Sequence, residues 1–150
     1  MASTITPSSL VVTISEAYEL NDAPYGNTIT KQYVTQGKVD QRVLTIPAGE
    51  GVMTAIVGYS TADAQGQFIA ADYSYFRITN LDDTNYITLQ ITSGDTYWIK
   101  VKPGDSFLLM DNEMDAIASS TVFGAFADIT AISADADTAS VDIEYLAVTA

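Results

Sequence analysis

Between Tyr75 and Leu109 the chain alternates apolar and polar residues in short runs, each closed by turn-forming residues, and this pattern favours a β-sheet. In Tyr86 to Thr92, Ile87, Leu89 and Ile91 fall on one face and Tyr86, Thr88, Gln90 and Thr92 on the other. This is the period of two of a half-buried strand. Ser93-Gly94-Asp95 then turns the chain. The next strand sets Tyr97, Ile99 and Val101 against Trp98, Lys100 and Lys102, and Pro103-Gly104 turns it again. No catalytic motif interrupts the pattern.

The same reading places strands at Leu10–Ser15, Thr28–Gln36, Val39–Ile46, Val52–Tyr59, Tyr73–Thr79, Ser106–Met110, Ala125–Ser133 and Ser140–Val148. Gly37-Lys38 is read as a tight turn, Pro47 to Gly51 as a break and Thr61 to Gln67 as a polar loop. Nine or ten strands at this spacing predict an all-β antiparallel sandwich of jelly-roll type. All four prolines are expected outside strand interiors, because proline cannot donate to a ladder. Asp111 to Gly124 is left open between a short helical turn at Met114–Ala118 and an irregular loop. Leu44–Met53 and Ile99–Leu108 share a strand, a Pro-Gly-acid turn and a strand, as two equivalent corners of a double sheet or chance reuse of a turn would. The predicted core is Ile78, Ile87, Leu89, Ile91, Ile99, Val101, Phe107, Leu109 and Ile143.

A length of 150 residues suits one domain. The division expected is an N-terminal arm over 1–9 and a sandwich over 10–150. The arm, Met1 to Ser9, lacks a basic region and a long apolar core. It is therefore not read as a secretion signal, and the chain is expected to be made and used without passing a secretion channel. Six Lys and Arg against nineteen Asp and Glu give a formal charge of −13, which repels a phosphate backbone. Nucleic acid is excluded as an expected partner, and no apolar run is long enough to suggest a membrane span.

The chain has no histidine and no cysteine. Zinc, copper and non-haem iron lose their usual donors, and Ser-His-Asp or Cys-His catalysis cannot be assembled. No cofactor is expected, and no enzyme. Asp82 and Asp83 are the nearest thing to a paired-carboxylate site, but with Asn80 and Asn85 they suit a turn held by side-chain bonds to the backbone. Asp111, Glu113 and Asp115 alternate as calcium ligands do, yet Ala116 stands where a sharp-turn glycine is needed and Val122 where a bidentate Glu belongs. Tyr73, Tyr75, Tyr86, Tyr97 and Trp98 read first as cross-strand packing, second as interface anchors, and also as a possible sugar-stacking set.

The segments N-L-D-D-T-N-Y-I-T-L (Asn80 to Leu89) and S-G-D-T-Y-W-I-K-V-K-P-G-D-S-F-L-L (Ser93 to Leu109) resemble small β-sandwich virion proteins of tailed bacteriophages. With the acidic, cysteine-free composition, they are most similar to capsid decoration (cement) proteins. The resemblance implies a non-enzymatic protein on the outer surface of the virion, bound to the major capsid protein as a homo-oligomer, trimer or dimer. Sheet edges, the N-terminal segment Met1 to Ser9 with Thr4, Ile5, Thr6 and Pro7, and exposed aromatics such as Tyr75 and Trp98 are then expected to supply contacts. The alternatives are a tail or fibre component, or a carbohydrate-binding module, recognising glycan through Tyr and Trp.

Overall fold

A computed structural model describes residues 8–35, 38–49, 51, 53–60, 68–69, 72–110, 115–116 and 127–149. The chain opens with an antiparallel hairpin of two thirteen-residue strands, β1 (Ser8–Leu20) and β2 (Ala23–Thr35). Asn21 and Asp22, both at positive φ (52° and 61°), form the two-residue connection. Such a turn matches the twist of the flanking strands, and Asn and Asp tolerate its left-handed backbone. A Cβ at Gly26 would meet the Glu16 carbonyl oxygen across the ladder, so the tip admits only glycine there.

The sandwich follows. One sheet has four strands in the order β3 (Val39–Ile46), β13 (Val141–Thr149), β6 (Tyr73–Asn80), β9 (Ser106–Met110). The other has five, in the order β5 (Phe68–Ile69), β4 (Thr54–Ser60), β12 (Ala131–Ala136), β7 (Ile87–Ser93), β8 (Asp95–Val101). All pairings in the two sheets are antiparallel except that of β4 with β5. Leaving β5 aside, the order 3-13-6-9 lies against 4-12-7-8, and successive strands mostly switch sheets. A separate two-residue pair joins β10 (Asp115–Ala116) to β11 (Ala127–Asp128).

The inward faces meet in one core that includes Phe76, Ile78, Ile87, Leu89, Ile132, Ile143 and Tyr145. Six of the nine predicted core residues are fully buried, and Ile99, Phe107 and Leu109 pack against them half-buried. The strands alternate because each sheet has an apolar inner face and a largely polar outer one, as in the buried and half-buried succession of Ile87 to Ser93. The corner after β8 is a type II turn. The Asp105 amide donates to the Lys102 carbonyl at 3.1 Å, with proline at the second position and Gly104 at φ 73° in the third. The segment after Ile46 also carries the chain between sheets, held by Gly49 and Gly51 amides donating to the Asp135 carboxylate at 3.2 Å each. The two similar sequence segments therefore occupy comparable corners built with different bonds.

Several expectations need correction. The first strand is about twice as long as the Leu10–Ser15 segment suggests, the second begins five residues before Thr28, and Ser8 and Ser9 already belong to β1. Pro24 lies inside β2, not outside a strand. It sits opposite Glu19, one step from the Leu20–Ala23 pair that flanks the turn. In an antiparallel ladder that alternate position points its nitrogen outward, and among the described residues no further strand lies there to be denied a donor. Ala125–Ser133 resolves into the end of one short pair and a separate strand, β12. In the open segment, Asp115 and Ala116 are extended and not helical, while the rest of Asp111–Gly124 lies outside the described residues.

Candidate interaction surface

The register of the hairpin sorts its side chains into two unlike faces. Leu10, Val12, Ile14, Tyr18 and Leu20 lie opposite Tyr33, Lys31, Ile29, Tyr25 and Ala23, respectively, on one face. The other face carries Ser9, Thr13, Ser15, Thr28, Thr30 and Gln32, tied by cross-strand bonds from Thr13 to Thr30 (3.3 Å), Ser15 to Thr28 (3.1 Å) and Gln32 to Ser9 (2.9 Å). The hairpin is thus a two-stranded ribbon with a mainly apolar side, broken where Glu16 faces Asn27 and where Lys31 faces Val12.

The base of that side is seated. Leu10, Val12 and Tyr33 pack with Tyr75, Met110, Leu146 and Val148. The pairing of β6 with β13 on one side and β9 on the other puts Tyr75, Met110 and Val148 in one row across the outer face of the four-stranded sheet. Among the described residues the distal half of the ribbon has no such seat. Tyr18, Leu20, Tyr25 and Ile29 are 60%, 56%, 49% and 54% exposed, and the Tyr18 and Tyr25 rings stack on each other at 5.4 Å. A two-stranded ribbon without a third layer is marginal in water, so an apolar face of this length marks a contact surface.

The outer face of the four-stranded sheet is only partly covered by the hairpin base. Val39, in the row of Val148, and Leu108 and Val43, one and two rows on respectively, remain exposed. Between them Arg77 donates to Glu144 at 2.9 Å and to Thr79 at 2.6 Å, and Gln41 donates to Glu144 at 2.8 Å. The bonds from Gln41 and then Arg77 hold the Glu144 carboxyl below its usual range.

Of the residues expected to make contacts, Tyr75 and Trp98 are separated. Tyr75 is not an exposed aromatic: it is 4% accessible beneath the hairpin, its ring 6.1 Å from that of Tyr33, and burial pushes its phenol up. Trp98 is exposed on the outer face of the five-stranded sheet, in a row with Gln90 and Ser133 and beside Lys100, whose ammonium sits 3.5 Å over the Tyr86 ring. Tyr97 points into the core. Thr4, Ile5, Thr6 and Pro7 lie outside the described residues, as do Tyr73's side chain and the alternating acids Asp111 and Glu113.

Asp82 is a turn residue. Its carboxylate accepts from the backbone amides of Asn85 (2.6 Å) and Thr84 (2.7 Å), and these bonds hold it below the ordinary carboxylate range. Asp83 is bonded to the Thr84 hydroxyl at 2.8 Å. Among the described residues no three acidic side chains converge on a metal-sized site.

The distal residues Ile14, Tyr18, Leu20, Tyr25 and Ile29 were not among the expected contacts. Their signal is the alternation continuing on both sides of Asn21-Asp22, interrupted at Glu16 and Asn27. No family model, no curated protein and no solved structure matches the chain.

Proposed function

We propose that this chain is a non-enzymatic structural protein of a phage virion, a decoration protein that binds the outer surface of the major capsid shell and stabilises it. The observation that carries an assembly role is the thirteen-residue hairpin, whose apolar side continues past its own seat into solvent. A sandwich that presents such a side is built to be completed by other subunits. The resemblance of Asn80–Leu89 and Ser93–Leu109 to phage virion proteins supplies the setting. The strand order 3-13-6-9 against 4-12-7-8 supports reading the sandwich as a jelly roll. Repeated weak contacts around a shell add by multivalency, so a small domain can strengthen it without chemistry of its own. The acidic charge of −13 suits an exterior position away from the genome.

The experiment is mass spectrometry and cryo-EM of the particle containing the chain. Hundreds of copies at equivalent positions on the shell are expected; a few copies confined to the tail would replace this reading with the receptor-binding one. That second reading has its own observation, the exposed Trp98 among Gln90, Ser133 and Lys100 on a flat polar sheet face, which is a suitable platform for a sugar ring.

A further inference from the structure

We infer that the distal half of the hairpin docks on a second copy of this chain, across the uncovered outer face of that copy's four-stranded sheet. The inference rests on the assembly reading above and names the partner that the hairpin takes first.

The hairpin base is the pattern for the contact. Leu10, Val12 and Tyr33 show that this side of the ribbon fits this sheet face, because they already pack on Tyr75 and Val148 there. The same ribbon side then runs on as Ile14, Tyr18 and Tyr25, and the same sheet face runs on as Val39, Val43 and Leu108. One molecule therefore carries an unsatisfied apolar ribbon side and a sheet face with exposed apolar residues along both of its edge strands. Its own hairpin does not cover both: at about 3.3 Å per residue the ribbon is roughly 43 Å long against roughly 30 Å for the nine-residue β13, the longest strand of the sandwich. Its tip is left exposed, and Val43 with it.

The outer face carries Arg77, bound to Glu144 at 2.9 Å, and the docking side of the ribbon carries Glu16. Tyrosine and arginine are the residue types enriched at the energetic centres of interfaces, and the exposed Tyr18–Tyr25 stack and Arg77 supply both. Five large apolar side chains about half exposed supply on the order of 500 Å² per arm, and with a similar area from the sheet each contact reaches about 1,000 Å², the lower bound for a specific interface. Tip and sheet are different patches, so the contact passes from one copy to the next and closes as a ring or as a reciprocal pair of arms.

The test uses the full chain in sedimentation velocity and native mass spectrometry. The expected wild-type mass is a small integer multiple of 16.1 kDa. A Tyr18→Glu/Tyr25→Glu variant of the tip and a Val43→Glu variant of the sheet should each fall to the single-chain mass with an unchanged circular dichroism spectrum, since all three side chains are exposed in the isolated chain. Mixing the two variants is the decisive arm. Each keeps one intact patch, so the mixture should form a dimer containing one of each, while neither variant forms it alone. A monomeric wild type, or oligomers unaffected by the tip variant, overturns the inference. So does a sheet variant that still oligomerises, which would place the tip elsewhere. An oligomer with these properties that binds no capsid shell would leave the inference standing and remove the decoration reading instead.

Discussion

Tyr33 of the hairpin and Tyr75 of the sandwich meet with ring centroids 6.1 Å apart and planes tilted by 52°, and with Val148 they form a small second core outside the main one. This pair fixes where the ribbon leaves the sheet. Replacing Tyr33 with Ala should cost about 3 kcal/mol by opening a cavity at the seat. Its effect should be local, raising amide exchange in β1 and β2 while β7 and β12 stay protected, which hydrogen exchange by mass spectrometry reads directly. Equal loss of protection in β7 would show that hairpin and sandwich unfold as one unit.

The Tyr33 hydroxyl is buried without a hydrogen-bond partner in the structure. A buried donor left unpaired carries a desolvation penalty of about 1–3 kcal/mol, so Tyr33→Phe should leave stability unchanged or raise it. The contrast with Tyr33→Ala separates ring packing from the hydroxyl. A denaturation midpoint clearly lowered by Tyr33→Phe would reveal a partner for that oxygen.

Asn80 ties three segments together from a fully buried position. Its side-chain amide donates to the carbonyls of Asn85 (2.9 Å) and Val101 (3.3 Å), its side-chain oxygen accepts from the Asp82 amide (2.9 Å), and its backbone bonds the Asp105 and Gly104 segment. Asn80→Ala leaves those carbonyls and that amide unsatisfied at the end of the sandwich, for an expected loss of about 2–4 kcal/mol. Asn80→Asp should be at least as damaging, because a carboxylate would face two carbonyl oxygens. Urea denaturation of the two variants checks both the size and the order.

Much of the sandwich was legible because its strands bury one face each. Ile87, Leu89 and Ile91 alternate with polar residues, and Pro103-Gly104 closes a strand by turn chemistry alone, so local pattern and tertiary fold agree. The hairpin was read short for a physical reason. Glu16 and Asn27 interrupt its apolar face opposite each other, and Pro24 is normally a sign against a strand interior. Among the described residues the ribbon has no neighbouring strand at either edge and Glu16 and Asn27 are exposed on its face, which no local pattern reports. Tyr75 was misjudged as exposed because alternation assigns it to the outer face correctly, but cannot tell that another part of the chain covers that face. Trp98, on the outer face of the other sheet, has no such cover.

The Tyr145 phenol donates to one oxygen of Asp40 at 2.6 Å, and Arg42 holds the other at 2.7 Å, linking the last strand to the first strand of the four-stranded sheet. Burial first, and then the bond to Asp40, push this phenol well above its ordinary value of 10.0. The unfolded chain releases the proton near 10 while the folded chain keeps it, so the stability linked to this group is fully present below pH 10. It is lost as pH rises from there toward the folded value. Tyr145→Phe removes a hydrogen bond to a charged group, worth about 1.5–3 kcal/mol near neutrality. It also removes the alkaline dependence from that site. Urea denaturation at neutral pH and at steps above pH 10 should therefore find the variant less stable at neutrality and the gap between variant and wild type narrowing as pH rises. The measurement is the difference between the two curves, because Tyr75 and Tyr86 also hold their protons more tightly than usual and contribute equally to both. Parallel curves across the alkaline range would mean that Tyr145 ionises in the folded protein as readily as in the unfolded one, and that its bond to Asp40 does not form in solution.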